Sequence, residues 1–252
     1  MIIESVFHYF LSAIFICFFT LLGALISFWI TKKHSIIDVF WGIGITMAII
    51  NITKFNFGDL HWAIYLMVGL WSLRLSCFIL FTRILTPHID RRYSNMNQGS
   101  PTGLMVKQIL IQTPLQALLV FTTYPLVLSS SIEPVCLALG GLLFMIGFVG
   151  ESLADTQLHA FKQHQKGICT SGLWAYSRHP NYFFECLMWL GISISFIGQP
   201  LWAISFIGPL SIFIIMYFIT GPYTEKCSLE RHGDVFKQYQ SNTSYFVPWR
   251  KL

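Results

Sequence analysis

Of the 252 residues, 54% are apolar and only 11% are charged, against roughly 25% charged in an ordinary soluble domain. So few charges cannot cover a soluble fold of this length. The net charge of +5 gathers in the connections between apolar runs. That accounts for it without a nucleic-acid partner and leaves membrane lipid headgroups as its natural counterpart.

A helix needs about 20 mostly uncharged residues to cross the hydrocarbon core. Such runs lie near residues 9–30, 37–52, 62–81, 109–128, 135–154, 182–197 and 201–219, followed by a tail over 224–252. None alternates as a barrel strand does. The expected fold is therefore all-α: one polytopic membrane domain of about seven transmembrane helices.

The first run is preceded by Glu4 and His8 rather than a basic leader, so it reads as a retained helix and not a signal peptide. Alternate connections carry Lys32 and Lys33, then Arg83, Arg91, Arg92 and Lys107, then Lys162, Lys166 and Arg178, then the tail's Lys226, Arg231, Lys237, Arg250 and Lys251. The opposite connections carry one cation, Lys54. By the positive-inside rule the N-terminus faces outward and the C-terminus the cytoplasm.

Ionisable residues inside spans are costly and by default mark function. Asp38 opens the second run, where it suits either first-turn charge compensation or a functional role. In the third run Arg74 lies nine residues before Arg83, about 13 Å into the membrane. It needs a carboxylate or an anionic ligand; a buried ion pair that only fixes helix packing is the plainer alternative. Glu151, Asp155, His159 and Lys162 end the fifth run at spacings of four, four and three, which puts them on one helical face.

Before the sixth run the chain reads Tyr176-Ser177-Arg178-His179-Pro180-Asn181-Tyr182, with Glu185 one turn beyond Asn181. Pro180 fits a first helical turn. A helix N-terminus flanked by Arg178 and His179 is a natural seat for phosphate or carboxylate. In the tail, an amphipathic surface helix with Trp249 as an interfacial anchor would account for much of the charge.

Six cysteines without a C-x-x-C pair suggest neither a zinc site nor a disulfide framework. Gly140, Gly141, Gly147 and Gly150 follow no strand and read as close helix packing rather than a dinucleotide loop.

On Ser177 to Tyr182 with Glu185, preceded by Asp155 and Lys162 and followed by Glu225, Arg231-His232-Gly233, Tyr239 and Pro248, the C-terminal half resembles a known superfamily. It comprises membrane steroid 5-alpha reductases, sterol C14 and C7 reductases and isoprenylcysteine carboxyl methyltransferases. With Asp38-Val39-Phe40-Trp41, Trp71 to Leu75 and Asp90 to Tyr93, the N-terminal half is similar to a bacterial branch described as steroid 5-alpha reductase-like.

The resemblance implies NADPH in a cytoplasm-facing cavity of a bacterial inner-membrane protein. It would be held by Asp155, Lys162, Asn181, Glu185, Glu225, Arg231 and His232, with Glu151, Tyr176, Arg178, His179 and Tyr182 in the same motif region. Arg74 and Arg92 would reach its phosphates, a task that suits guanidinium geometry. Steroid reductases carry Asn where this chain has Glu151 and a carbonyl-binding Tyr where it has Trp71. Asp38 falls near their carbonyl-polarising Glu and is the catalytic candidate.

The implied reaction is hydride transfer to an α,β-unsaturated ketone, a 3-oxo-Δ4-steroid or a similar apolar lipid entering from the bilayer. The rivals are S-adenosylmethionine-dependent methylation of a lipid-like acceptor and a non-enzymatic transporter.

Overall fold

The structure, a computed structural model, describes residues 2–54, 58–86 and 100–249. Its main helices are α1 (Ile2–Thr31), α2 (Ile36–Thr53), α3 (His61–Ile79), α4 (Pro101–Val120), α5 (Pro134–His164), α6 (Pro180–Ile194), α7 (Ile207–Ile214), α8 (Gly221–His232) and α9 (Asp234–Asn242). Among the described residues the only non-helical pairing is two isolated bridges, Asp59 with Ser131 and Ser177 with Ser244. The chain is an all-helical integral membrane protein.

Six helical stretches are long and apolar enough to cross a bilayer: Glu4–Thr31, Ile36–Thr53, His61–Ile84, Pro101–Thr123, Pro134–His164 and Trp202–His232. The remaining expected run, 182–197, folds as the 15-residue α6 and then breaks into turns. At 1.5 Å per residue α6 is about 22 Å long, so it is shorter than the apolar run that announces it.

Local chemistry sets the helix ends. Pro101, Pro134 and Pro180 each occupy a first helical turn, where a missing N–H costs nothing. The Ser100 hydroxyl also accepts from the Gly103 N–H at 3.1 Å. At the other end of α3, the helix widens into a π-turn over Leu80–Ile84. Lys33 closes it by donating to the carbonyls of Arg83 and Ile84, at 3.1 and 2.9 Å, and to that of Thr86.

α2 packs between α1 and α3, and α4 lies against α1 and α2; α6 lies between α5 and α7. The two groups meet where Trp71, Phe144, Met188 and Trp189 share one core. The α5–α6 contact is the most extensive among the described helices, and glycines let the two approach closely. A Cβ on Gly147 would stand 2.6 Å from Met188 Cγ and 2.8 Å from the Phe184 carbonyl oxygen; one on Gly150 would stand 2.5 Å from the Phe184 ring. Gly140 also faces α6, against Gly191 and Ser195, whereas Gly141 has nothing within 4 Å and plays no part in the contact.

Gly147→Val should therefore push against backbone that cannot swing aside, lowering stability by about 1–3 kcal/mol. Gly141→Ala is the matched control and should be neutral. Unfolding of the purified protein in mixed micelles reads both, and equal effects would refute the packing role of Gly147.

The tail differs from the expected surface helix. α9 is amphipathic, but its apolar face is turned into the protein, burying Phe236 and Tyr239. The Tyr239 hydroxyl donates to the carbonyls of Trp174 at 2.5 Å and Ser177 at 3.3 Å. Burial pushes this phenol up from its ordinary value, which keeps it a donor. Trp249 is 73% exposed, as an interfacial anchor would be.

Candidate functional site

Three helices contribute side chains to one buried point, and helical periodicity dictates which. Trp71 and Arg74 are one turn apart on α3, Glu151 and Asp155 one turn apart on α5, and Asn181, Glu185 and Trp189 lie on successive turns of α6. Arg74 Nη1 lies 2.8 Å from Glu151 Oε1, and Arg74 Nη2 donates to Asp155 Oδ2. Asn181 Nδ2 reaches Asp155 Oδ1 at 3.4 Å.

Glu185 is held by two indoles. Trp71 Nε1 donates to its Oε1 and Oε2 at 2.9 and 3.1 Å, and Trp189 Nε1 donates to Oε1 at 3.0 Å. The two indoles meet edge to face with centroids 4.9 Å apart. One guanidinium thus faces three carboxylates, since Glu185 also lies within electrostatic reach of Arg74. Asn181 Oδ1 remains buried with no hydrogen-bond partner. Such an orphan is costly unless something polar engages it.

Arg83 joins the cluster from below. It pairs with Asp38 at 3.5 Å and acts electrostatically on Asp155. On an uninterrupted α-helix, nine residues would place it about 180° from Arg74. Arg83 lies within the π-turn, whose wider winding rotates it back from that opposite face. Asp38 therefore sits in the first turn of α2 with Arg83 as its partner, at the edge of the site.

Arg178 and His179 belong to a second cluster, at the start of α6. Arg178 Nε donates to Glu225 Oε1 at 2.6 Å, and Nη1 donates to the carbonyls of Gln240 at 2.9 Å and Thr243 at 2.6 Å. His179 Nε2 lies 3.4 Å from Glu225 Oε1, and its ring stacks on Tyr182 with centroids 5.0 Å apart. The anion seated beside this helix start is thus the chain's own Glu225. Gln240 Nε2 holds the other Glu225 oxygen at 2.7 Å, while the backbone of Arg178 donates to Ser244 at 2.9 Å. This clasp ties the tail to the helix that carries Asn181 and Glu185.

The remaining sequence candidates lie apart from both clusters. Lys162 is exposed in the last turn of α5, and Arg231 is exposed and His232 half-buried in the last turn of α8. Tyr176 is 48% exposed, and its carbonyl accepts from the Trp249 N–H at 3.2 Å. Arg92 lies outside the described residues. Sequence reasoning missed Trp71 and Trp189 as donors to Glu185. The available signal was that Trp189 follows Glu185 by four residues, one turn along the same helix.

No curated protein and no solved structure matches the chain. A family model described as "Protein of unknown function (DUF1295)" matches residues 25–243, nearly the whole chain, so the protein belongs to that family.

Proposed function

We propose that the chain is an NADPH-dependent membrane reductase of the steroid 5-alpha reductase-like kind, acting on the C=C bond of an α,β-unsaturated ketone. In this reading the short α6 is a seventh membrane crossing beside the six long ones, with the N-terminus outside and the cofactor site on the cytoplasmic side of a bacterial inner membrane. The observation that carries this reading is the convergence of Arg74, Glu151, Asp155, Asn181 and Glu185 between α3, α5 and α6, with the buried Asn181 Oδ1 unpartnered.

These residues fit a dinucleotide. Arg74 and Arg83 are the cations on hand for phosphate, and the Asn181 amide with the Asp155 and Glu185 carboxylates suits hydroxyl and carboxamide groups. Arg178 is already committed to Glu225 and two carbonyls, so it positions the start of α6 rather than contacting ligand. When bound, NADPH supplies a hydride for the β-carbon of the substrate. Asp38 is the residue assigned to the ketone oxygen, to which its protonated carboxyl would donate a hydrogen bond, and the α-carbon would then take up a proton. The surrounding apolar helices exclude water and admit substrate from the lipid.

A second reading has its own support. One guanidinium against Glu151, Asp155 and Glu185 leaves an acidic surplus, which suits the sulfonium and ammonium of S-adenosylmethionine and a methyl transfer to a lipid-like acceptor. Binding of both cofactors to the protein in nanodiscs separates the readings. NADPH should bind, lose absorbance on addition of a 3-oxo-Δ4-steroid, and bind about tenfold or more weakly to Asn181→Ala. Preference for S-adenosylmethionine would reverse the assignment, and binding of neither would leave a transporter.

A further inference from the structure

Glu151 and Glu185 meet where α5 crosses α6. Both are buried, and their carboxyl groups are in hydrogen-bond contact with each other. An ionised carboxylate can only accept a hydrogen bond, so two of them cannot bond without a proton between them.

The surrounding donors show which oxygen carries it. Glu185 accepts from Trp71 Nε1 at 2.9 and 3.1 Å on its two oxygens, and from Trp189 Nε1 at 3.0 Å. An indole N–H only donates, so both oxygens of Glu185 are engaged as acceptors. Glu151 Oε1 pairs with Arg74 Nη1 at 2.8 Å, and a guanidinium also only donates. Glu151 Oε2 alone of these four oxygens receives no N–H donor. A proton there completes the network, because Glu151 then donates to Glu185.

Charge leads to the same place. With every group ionised, Arg74 would face Glu151, Asp155 and Glu185 together. Unbalanced charge in a bilayer interior is costly, and a proton on Glu151 removes one charge while breaking none of the contacts above. The other ionisable groups that face the pair are Arg74 on α3, Asp155 on α5 and Cys186 on α6, with Arg83 acting on Asp155.

We propose that Glu151 and Glu185 share one proton in the ligand-free protein, carried on Glu151, and that this neutral Glu151 is a positioning residue that keeps the site open to an anionic cofactor. The second half rests on the NADPH reading; the first does not. Loss of the proton as pH rises would set two carboxylates against each other and add a negative charge beside the cofactor.

Infrared spectra of the full-length protein in dodecyl maltoside, which has no ester carbonyl, test the first half without ligand. Wild type minus Glu151→Gln should show the C=O band of a neutral carboxylic acid, shifted in heavy water. Glu185→Gln should lose the same band, because its amide can donate to an ionised Glu151, and it reads the pair should Glu151→Gln not fold. The thermal midpoint reports folding of each. NADPH titration against pH tests the second half. Wild-type affinity should fall about tenfold per pH unit on the alkaline side, a fall that Glu151→Gln should flatten and Cys186→Ala should keep. Absence of the band, its survival in folded Glu185→Gln, or a wild-type alkaline fall in Glu151→Gln would each overturn the proposal. Failure of wild-type protein to bind NADPH at any pH, with the band present, would sink the reductase reading and leave the shared proton standing.

Discussion

Arg74→Met should be the most damaging single substitution in the bundle. It removes the one guanidinium that faces Glu151 and Asp155, with all three side chains largely buried. Breaking a buried pair from one side leaves uncompensated charge and costs about 3–5 kcal/mol. The triple variant Arg74→Met/Glu151→Gln/Asp155→Asn removes the imbalance and should regain most of the lost stability, yet bind no NADPH. Arg74→Lys should recover only part, since a point charge cannot fork between carboxylates on successive turns of α5. Unfolding in mixed micelles and cofactor titration on the same samples separate the two roles. A triple variant that both refolds and binds would show that the cluster is purely structural.

The parts of this site that were legible in the sequence are those that helical periodicity determines. Glu151 and Asp155 stand four apart, as do Asn181 and Glu185, and each pair shares a helix face whatever the tertiary packing. Arg74 was conspicuous because a buried cation must find an anion, and it finds two. Pro180 marked the start of α6 for an equally local reason.

What could not be read are the pairings between distant segments and a change of helical register. Trp71 and Glu185 lie 114 positions apart, and nothing local says that this indole would serve as that carboxylate's donor. Arg83 required the π-turn at Leu80–Ile84, which apolar periodicity does not reveal. The seat beside Arg178 and His179 was expected to receive a phosphate or carboxylate ligand; the carboxylate found there is the chain's own Glu225, which arrives only through the return of the tail. The run 182–197 is apolar enough to suggest a full span, whereas the helix it forms stops at Ile194. Hydropathy counts residues and does not see where a helix turns into a loop.

Arg178→Ala is expected to release that tail. Its guanidinium holds Glu225 and the carbonyls of Gln240 and Thr243, so one truncation strips a half-buried carboxylate of its main partner and frees two acceptors. A loss of about 3 kcal/mol or more corresponds to about a hundredfold greater population of the undocked tail. Trypsin cleavage at Lys226, Arg231 and Lys237 should rise in proportion while the helices up to α7 stay intact. Arg178→Lys can keep the charge contact with Glu225 but not both carbonyls, and should fall between the two. Glu225→Gln, which can still accept from Arg178, should release the tail less than Arg178→Ala does. Because Arg178 immediately precedes the helix bearing Asn181 and Glu185, tail release should also weaken NADPH retention without touching a ligand contact. An Arg178→Ala protein with wild-type proteolysis but lost binding would instead place the guanidinium on the ligand and remove it from the clasp.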